Sequence, residues 1–257
     1  MSTRAFLAAS RVQVLTSIRA PEHLVIVFLA PWFSLIFLSM SSYAGRMDLA
    51  TVMVLGTGLI GIWFVAVNVA AGAIHNDRIM GTLEMAIVSP SNYAIVLCGR
   101  IVPIVVLGTL VIPEAWLVGK FAFNAELELR NPLLVSITLV MTCLATVGTA
   151  TLLAAVMVIS RNTRIIQGNL EYPLYVLGGT ILPIDQLPDV ARLVARLFYL
   201  SWAADLLRDA ALRSSVPDAR GRLAIIGALG VVAFISGAVL VRYTIYRARL
   251  TASVSTS

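Results

Sequence analysis

The chain has 257 residues, of which 59% are hydrophobic and 12% are charged, and its mean hydropathy is +0.92. A soluble domain of this length needs far more polar surface, so these values exclude a soluble protein and indicate an integral membrane protein. The formal net charge of +6 indicates loops that lie on anionic lipid rather than a nucleic-acid partner.

The stretch before the first apolar run is predicted to form an interfacial helix. Leu7, Val14 and Ile18 fall on one side of a helix, and Arg4 and Arg11 lie beside that stripe. Such a helix lies at the inner membrane interface while its arginines snorkel towards water. A loosely ordered tail is the alternative. The stretch lacks the continuous apolar core and the cleavage site of a signal peptide, so we expect the N-terminus to stay in the cytoplasm.

Six apolar runs are long enough to cross a membrane, and we assign them to one transmembrane domain over residues 1–257. A run of about 20 residues at a rise of 1.5 Å per residue spans a hydrocarbon core of roughly 30 Å. Glu171, Pro173 and the pair Gly178 and Gly179 interrupt the fifth run, so we expect it to pack inside the bundle. The predicted spans cover about residues 24–43, 50–74, 94–119, 133–159, 165–182 and 223–243.

The basic residues predict the orientation of these spans, because cytoplasmic loops carry an excess of Lys and Arg. Ten basic residues fall in the segments on the N-terminal side of the membrane, namely Arg4, Arg11, Arg19, Arg78, Arg100, Arg161, Arg164, Arg242, Arg247 and Arg249. The two short loops on the opposite side hold three, namely Arg46, Lys120 and Arg130. Both termini are therefore predicted to be cytoplasmic. The loop between spans two and three is predicted to lie on the same side.

The segment between spans five and six is amphipathic but too charged to cross the membrane. Over residues 190–213 it reads VARLVARLFYLSWAADLLRDAALR, with leucines and alanines at intervals of three and four. Asp205 with Arg208, and Asp209 with Arg213, can pair at helical spacing. We expect one or two short helices that rest on the outer membrane face or re-enter it.

The chain lacks the sequence signatures of a transport ATPase and of an acyl-transfer enzyme. Its only lysine, Lys120, lies in EAWLVGKF, where Glu114 and Phe121 replace the Gly and the Ser or Thr of a phosphate loop. The two cysteines and two histidines have no metal-binding spacing. We therefore predict no catalytic residue, metal or cofactor on this chain, and an energy source outside it.

A few polar residues fall inside the predicted spans. Glu171 in the fifth span is a functional candidate, because a carboxylate there is costly unless it is protonated, paired or hydrated; a purely structural role is the alternative. Glu114 can reach the outer interface, so we predict a structural role for it. Thr138, Thr142 and Thr146 recur along one face of span four, and such stripes of small polar residues are typical of helix packing.

Three stretches of the chain resemble one family. The loop between spans two and three, NDRIMGTLEMAIVSPSNY, has an acidic and basic pair before Gly-Thr-Leu-Glu and then Ser-Pro. The fifth run, NLEYPLYVLGGTILPIDQLP, has Asn, Pro-Leu, a pair of small residues, Pro and Leu-Pro, and YLSWAADLLR ends at Arg208. In these motifs, and in Pro31 of the first span, the chain resembles the ABC-2 type permeases, membrane subunits of drug, lipid and polysaccharide exporters that partner a separate ATP-binding protein.

The resemblance implies an all-α polytopic membrane protein whose loop between spans two and three forms a cytoplasmic coupling helix. Its apolar side would sit in a groove of the ATP-binding subunit, and Asp77 and Thr82 can cap helix starts. ATP and Mg²⁺ would bind to that partner. The coupling residues implied are Asp77, Arg78, Gly81, Thr82, Leu83, Glu84, Ser89 and Pro90.

The resemblance also implies a dimer, formed with a second copy or a paralogue, in which the substrate passes between protomers along spans two and five. The candidates for this pathway or its gating are Asn68, Asn169, Glu171, Pro173, Gly178 and Gly179. The implied function is export of a hydrophobic drug-like or lipid substrate across the bacterial cytoplasmic membrane. A membrane-embedded lipid-modifying enzyme and a non-transporting membrane anchor for a cytoplasmic ATPase are the alternatives.

Overall fold

The regular structure of the chain is helical throughout the residues that the computed structural model describes, which are 2–19, 25–79, 81, 93–159, 173–181 and 183–254. Short 3₁₀ turns cover Met47–Leu49 and Ile184–Gln186, and a further helical turn covers 173–177. The α-helices of the described ranges are α1 (Ser2–Arg19), α2 (Val25–Tyr43), α3 (Ala50–Ile79), α4 (Tyr93–Gly108), α5 (Val111–Phe123), α6 (Pro132–Ile159), α7 (Asp189–Ala195), α8 (Tyr199–Leu212) and α9 (Ala219–Val254).

Four stretches of the described residues are long and apolar enough to cross a membrane. They match the predicted spans two, three, four and six. Helix α2 occupies the first predicted span, whereas much of the fifth lies outside the described residues, so the count of six spans and the side of each terminus stay predictions. The four stretches are Met47–Asn68, Tyr93–Phe123, Pro132–Met157 and Ala219–Tyr243.

The third span is a broken helix rather than the single run that the sequence predicted. Helix α4 ends at Gly108 and α5 begins at Val111. Pro113 has no backbone N–H to donate to the carbonyl of Thr109. In a regular α-helix the proline ring would also clash with that carbonyl group. The Thr109 carbonyl accepts a shorter-range bond from the N–H of Ile112 at 3.1 Å instead. Both sides of the break lie against α3, since side chains at Gly108 and Gly61 would meet Ile62 and Val111 respectively.

Helix α3 lies at the centre of the fold. In its most apolar stretch of 18 residues, 78% of the residues are buried inside the protein, compared with 22% in the corresponding stretch of α9. One side of α3 packs on α4 and α5, and a side chain at Gly61 would meet Val111 at 2.7 Å. The opposite side, which includes Leu59 and Trp63, packs in one cluster with residues of α6 and α8. Helix α3 therefore has close neighbours on both of its sides.

Helix α6 carries the threonine stripe, and the prediction that the stripe is a packing surface is confirmed. Thr138, Thr142 and Thr146 are fully buried. Each hydroxyl donates to the carbonyl four residues earlier at 2.7 Å, which satisfies the hydroxyl within its own helix. A separate side of α6 packs on α9, where a side chain at Gly148 would collide with the Gly230 carbonyl. The stripe is thus occupied by protein contacts.

Candidate functional site

The first predicted site begins at the end of α3, which extends past its apolar run. The apolar run ends at Ile74, whereas the helix ends at Ile79. The five further residues add about 8 Å at a rise of 1.5 Å per residue. Helix α3 therefore continues without a break from the predicted second span into the first predicted site.

Two predicted coupling residues, Asp77 and Arg78, lie in the last turn of α3. The prediction that Asp77 caps the start of a helix is wrong, because the backbone is already helical there and remains so through Ile79. Gly81 is exposed and has a φ of +66°, a left-handed conformation that glycine adopts without steric cost. Gly81 thus turns the chain soon after α3 ends.

The remaining predicted coupling residues are not placed by the structure. The chain is described again from Tyr93, the first residue of α4, which is buried. The loop is therefore flanked by the end of α3 and the start of α4, two helices of the same bundle. The coupling residues that lie outside the described part of the chain are Thr82, Leu83, Glu84, Ser89 and Pro90.

Helix α1 is fastened to α4 just beyond the start of α4. The Ser10 hydroxyl donates to the Gly99 carbonyl at 2.8 Å. A side chain at Gly99 would lie 2.7 Å from the Phe6 carbonyl oxygen and 2.9 Å from the Ala9 Cβ. The predicted N-terminal helix is therefore present, and one of its sides is in close contact with protein. Its position at the membrane interface stays a prediction.

The pathway candidates fall into two groups. The Asn68 side-chain amide donates to the Phe64 carbonyl at 2.9 Å, so this side chain lies against its own helix. Pro173 is exposed and is the first described residue of the helical segment 173–177. Asn169 and Glu171 lie outside the described residues. A role of any of these residues in a substrate pathway stays a prediction.

Gly178 and Gly179 end the helical turn 173–177 and lie against α8. The Gly178 N–H donates to the Leu174 carbonyl at 2.8 Å, and Gly179 adopts the left-handed conformation with φ +66°, which is common where helices end. A side chain at Gly178 would meet Leu200 of α8 at 2.6 Å. The two glycines therefore allow this turn and α8 to approach each other closely.

A cluster of Arg196, Asp205 and Arg208 holds this contact together, and we call it the Arg208 cluster. Asp205 pairs with Arg208 at 3.1 Å and with Arg196 at 2.8 Å. Arg208 also donates to the Gly179 carbonyl at 3.0 Å. The sequence predicted the Asp205–Arg208 pair but not the other two contacts. The only sequence signal for Arg208 as a site residue was its place in the third motif.

The second predicted ion pair, Asp209 with Arg213, is also present, at 3.7 Å. Asp209 makes a closer pair with Arg222 of α9, at 2.5 Å, which the sequence analysis missed. Arg196 in turn stacks on Trp202, with its guanidinium carbon 4.6 Å from the ring centre. Helix α8 is thus connected by charged contacts to the chain on both sides of it.

The beginning of α8 is buried between α3 and α6. The Tyr199 hydroxyl lies 2.7 Å from the Thr146 hydroxyl oxygen. Because Thr146 donates to the Thr142 carbonyl, Tyr199 is the donor to Thr146. Burial raises the pKa of the Tyr199 phenol, which keeps this donor protonated. The Trp63 ring of α3 packs edge-on against Phe198, with the ring centres 5.0 Å apart.

The contacts described above connect separate elements of the fold. Hydrogen bonds and ion pairs link α1 to α4, Gly179 to α8, and α8 to α6 and α9. Trp63 of α3 packs on Phe198, which immediately precedes α8. Among the described residues no group of three or more His, Cys, Asp or Glu side chains could hold a metal ion.

Comparison with known families identifies the chain. The model of the ABC-2 type transporter family matches residues 1–212, so the match begins at α1 and ends with α8. A search of curated protein sequences returned no significant match. Because the family match covers far more than half of the chain, the protein belongs to the ABC-2 type transporter family and is a multi-pass membrane component of an ABC transporter.

Proposed function

We propose that the protein is the permease subunit of an ATP-driven exporter. It moves a hydrophobic drug-like or lipid substrate out across the bacterial cytoplasmic membrane. ATP hydrolysis, with Mg²⁺, takes place on a separate ATP-binding subunit, and this chain supplies coupling and selectivity. Members of the ABC-2 family normally partner such a subunit, which supports the division of labour.

The observation that carries the proposal is the length of α3. One uninterrupted helix of 30 residues joins the centre of the bundle to the motif that begins at Asp77. A helix is stiff along its axis, so force applied at its projecting end reaches the buried part without being absorbed by a hinge. An ATP-binding subunit that binds residues 77–90 and changes conformation on ATP hydrolysis would therefore move α3.

The start of α4 provides a second route for the same motion. The loop that follows Gly81 ends at Tyr93, and α1 is attached close by through Ser10 and Gly99. Helices α3, α4 and α1 therefore respond together when the loop is displaced. Trp63 of α3 packs on Phe198, which immediately precedes α8, so the motion continues into α8 and towards Gly179, which accepts a hydrogen bond from Arg208.

The proposed transporter is a dimer with a second copy or a paralogue, and the substrate passes between protomers along spans two and five. Support for this arrangement comes from the family resemblance. A non-transporting anchor would bind the ATP-binding subunit without nucleotide-dependent transport. A lipid-modifying enzyme would act without any ATPase.

The test is reconstitution in liposomes with an ABC ATP-binding subunit that co-purifies with the tagged chain. Glu84→Arg reverses the charge of the motif residue that we expect to face a basic group on the partner. The matched control is Glu126→Arg, which makes the same change at an exposed position between α5 and α6. We expect Glu84→Arg to abolish substrate-stimulated ATP hydrolysis and the control to retain it.

The folded state of both variants is checked by size-exclusion chromatography before the assay. Equal stimulated hydrolysis in wild type and Glu84→Arg would contradict the coupling role of this motif. Transport that continues without nucleotide would favour another class of membrane protein. Binding of the ATPase without any nucleotide-dependent movement of solute would favour the anchor.

A further inference from the structure

Helix α1 buries small and polar residues and exposes apolar ones, which is the reverse of a surface helix in a soluble protein. Its buried positions include Ala9, Gln13 and Ser17, which are small or polar. Leu7, in contrast, is 65% exposed and Leu15 is 46% exposed. A surface helix of a soluble protein buries its apolar side instead. The exposed side of α1 therefore fits an apolar environment better than water.

An open groove of about 380 Å³ runs beside this apolar side. Thr3, Phe6 and Leu7 of α1 form one wall, and Ile95 in the first turn of α4 forms the other. Three of these four side chains are apolar. A groove of this lining, open to the surroundings of a membrane protein, fits a hydrocarbon chain.

Arg4 and Arg11 lie next to the apolar side and are exposed. They are seven residues apart, so they point in similar directions at a separation of about 10 Å along the helix. The sequence of α1, STRAFLAASRVQVLTSIR, contains no acidic residue. Within the described part of the chain, the ion pairs involve neither arginine. Both guanidinium groups are thus available to an external anion, and their planar geometry suits phosphate oxygens.

We propose that α1 and the start of α4 form a binding site for an anionic phospholipid. One acyl chain lies in the groove against Phe6, Leu7 and Ile95, and Arg4 and Arg11 hold the phosphate. An apolar groove lies beside two arginines on a helix that contains no acidic residue, so one site can bind both the acyl chain and the phosphate of a single lipid. The bound lipid fastens α1 to the membrane at the point where Ser10 attaches it to α4.

The site is tested on the purified full-length chain without any ATP-binding subunit, so its outcome is independent of the proposed transport function. The protein is placed in nanodiscs of equal phosphatidylcholine and phosphatidylglycerol, extracted in a neutral detergent, and weighed by native mass spectrometry. Each arginine near a membrane surface favours an anionic lipid by about fivefold. We expect retained phosphatidylglycerol to exceed phosphatidylcholine by about tenfold or more.

The variant Arg4→Gln/Arg11→Gln should lose this preference. The matched control, Arg130→Gln/Arg220→Gln, removes the same charge from two exposed arginines elsewhere and should keep it. An unchanged preference in the Arg4→Gln/Arg11→Gln variant overturns the proposal. Added glycerol phosphate, a headgroup without acyl chains, should not displace the lipid; displacement would overturn the proposed acyl contact and indicate a simple phosphate site.

A photoreactive benzoylphenylalanine in place of Leu7 identifies the occupant directly. In nanodiscs of the same composition, we expect the cross-linked product to gain the mass of one phospholipid. A product that instead contains a second protein chain would show that the exposed side of α1 is a protein interface, and would overturn the proposal. This measurement remains valid if the double arginine variant fails to fold.

Discussion

Arg208 of α8 donates a hydrogen bond to the backbone carbonyl of Gly179, which lies 29 residues earlier in the chain, at 3.0 Å. The same guanidinium pairs with Asp205, and the side chains of Arg208 and Asp205 are 21% and 16% exposed. Partial burial limits the screening of this pair by water and salt. Arg208 is therefore the charged connection between the turn that ends at Gly179 and the buried helix α8.

Substitution of Arg208 by Gln should release Gly179 from α8. A hydrogen bond from a charged donor contributes about 1.5 to 3 kcal/mol when well shielded, and residual exposure reduces this to about 1 kcal/mol. We expect Thr180, the next residue, to become about fivefold more accessible. The measurement is the rate at which a water-soluble maleimide labels Thr180→Cys in a background with Cys98→Ala and Cys143→Ala.

Arg213→Gln is the control for this experiment. Arg213 also pairs with a carboxylate of α8, Asp209, but at 3.7 Å and with a side chain that is 61% exposed. Its loss should leave the labelling rate of Thr180→Cys unchanged. If Arg208→Gln and Arg213→Gln label at the same rate as the parent, the Arg208 cluster does not hold the turn.

Gly99→Val should separate α1 from α4. The new Cβ would lie 2.7 Å from the Phe6 carbonyl oxygen, so the backbone of one helix has to shift. Overpacking of this kind costs typically 1 to 3 kcal/mol, and separation of the two helices also breaks the bond from the Ser10 hydroxyl to the carbonyl of residue 99. We expect the backbone amides of α1 to exchange hydrogen about tenfold faster, as followed by mass spectrometry.

The matched variant is Gly72→Val in α3. A Cβ at Gly72 meets no other atom within 4 Å, and both substitutions place valine in the interior of a helix. Exchange in α1 should stay at the level of the parent protein in this variant. Similar exchange in Gly99→Val and Gly72→Val would mean that the close contact at Gly99 does not position α1.

The sequence predicted the helices that are defined by hydrophobicity alone. Helix α6, for example, was predicted over 133–159 and covers Pro132–Ile159. The same reasoning ended the second span at residue 74, whereas α3 continues to Ile79, because polar residues outside the membrane leave a helix intact until a residue such as Gly81 turns the chain. The break before Pro113 was also missed, since an apolar run shows no change in hydropathy there.

The site was predictable only where its contacts are local. Asp205 and Arg208 are three residues apart on one helix, and their pair follows from helical geometry. Arg208 and Gly179 are 29 residues apart, and Thr146 and Tyr199 are 53 apart. Such pairs depend on how separate elements pack, which periodicity does not encode. The coupling residues after Gly81 rest on the motif alone.

The hydrogen bond between Tyr199 and Thr146 connects α8 to α6, and its contribution to the free energy of unfolding can be measured. Their hydroxyl oxygens lie 2.7 Å apart in a fully buried setting, and Tyr199 is the donor. Removal of either hydroxyl, in Tyr199→Phe or Thr146→Val, should destabilise the protein by about 0.5 to 1.5 kcal/mol. The double variant should lose little more than one single variant, because both substitutions remove the same bond.

The measurement is a double-mutant cycle of unfolding in mixed micelles with increasing denaturing detergent. Hydrogen bonds between helices of membrane proteins give coupling energies of about 0.6 kcal/mol on average and up to about 1.7, and we expect the Tyr199–Thr146 pair to fall within that range. Thr138→Val provides the control, since Thr138 lies on the same stripe and donates only to its own helix. Its effect should add to that of Tyr199→Phe. A coupling energy of zero between Tyr199 and Thr146 would contradict this bond as a connection between α8 and α6.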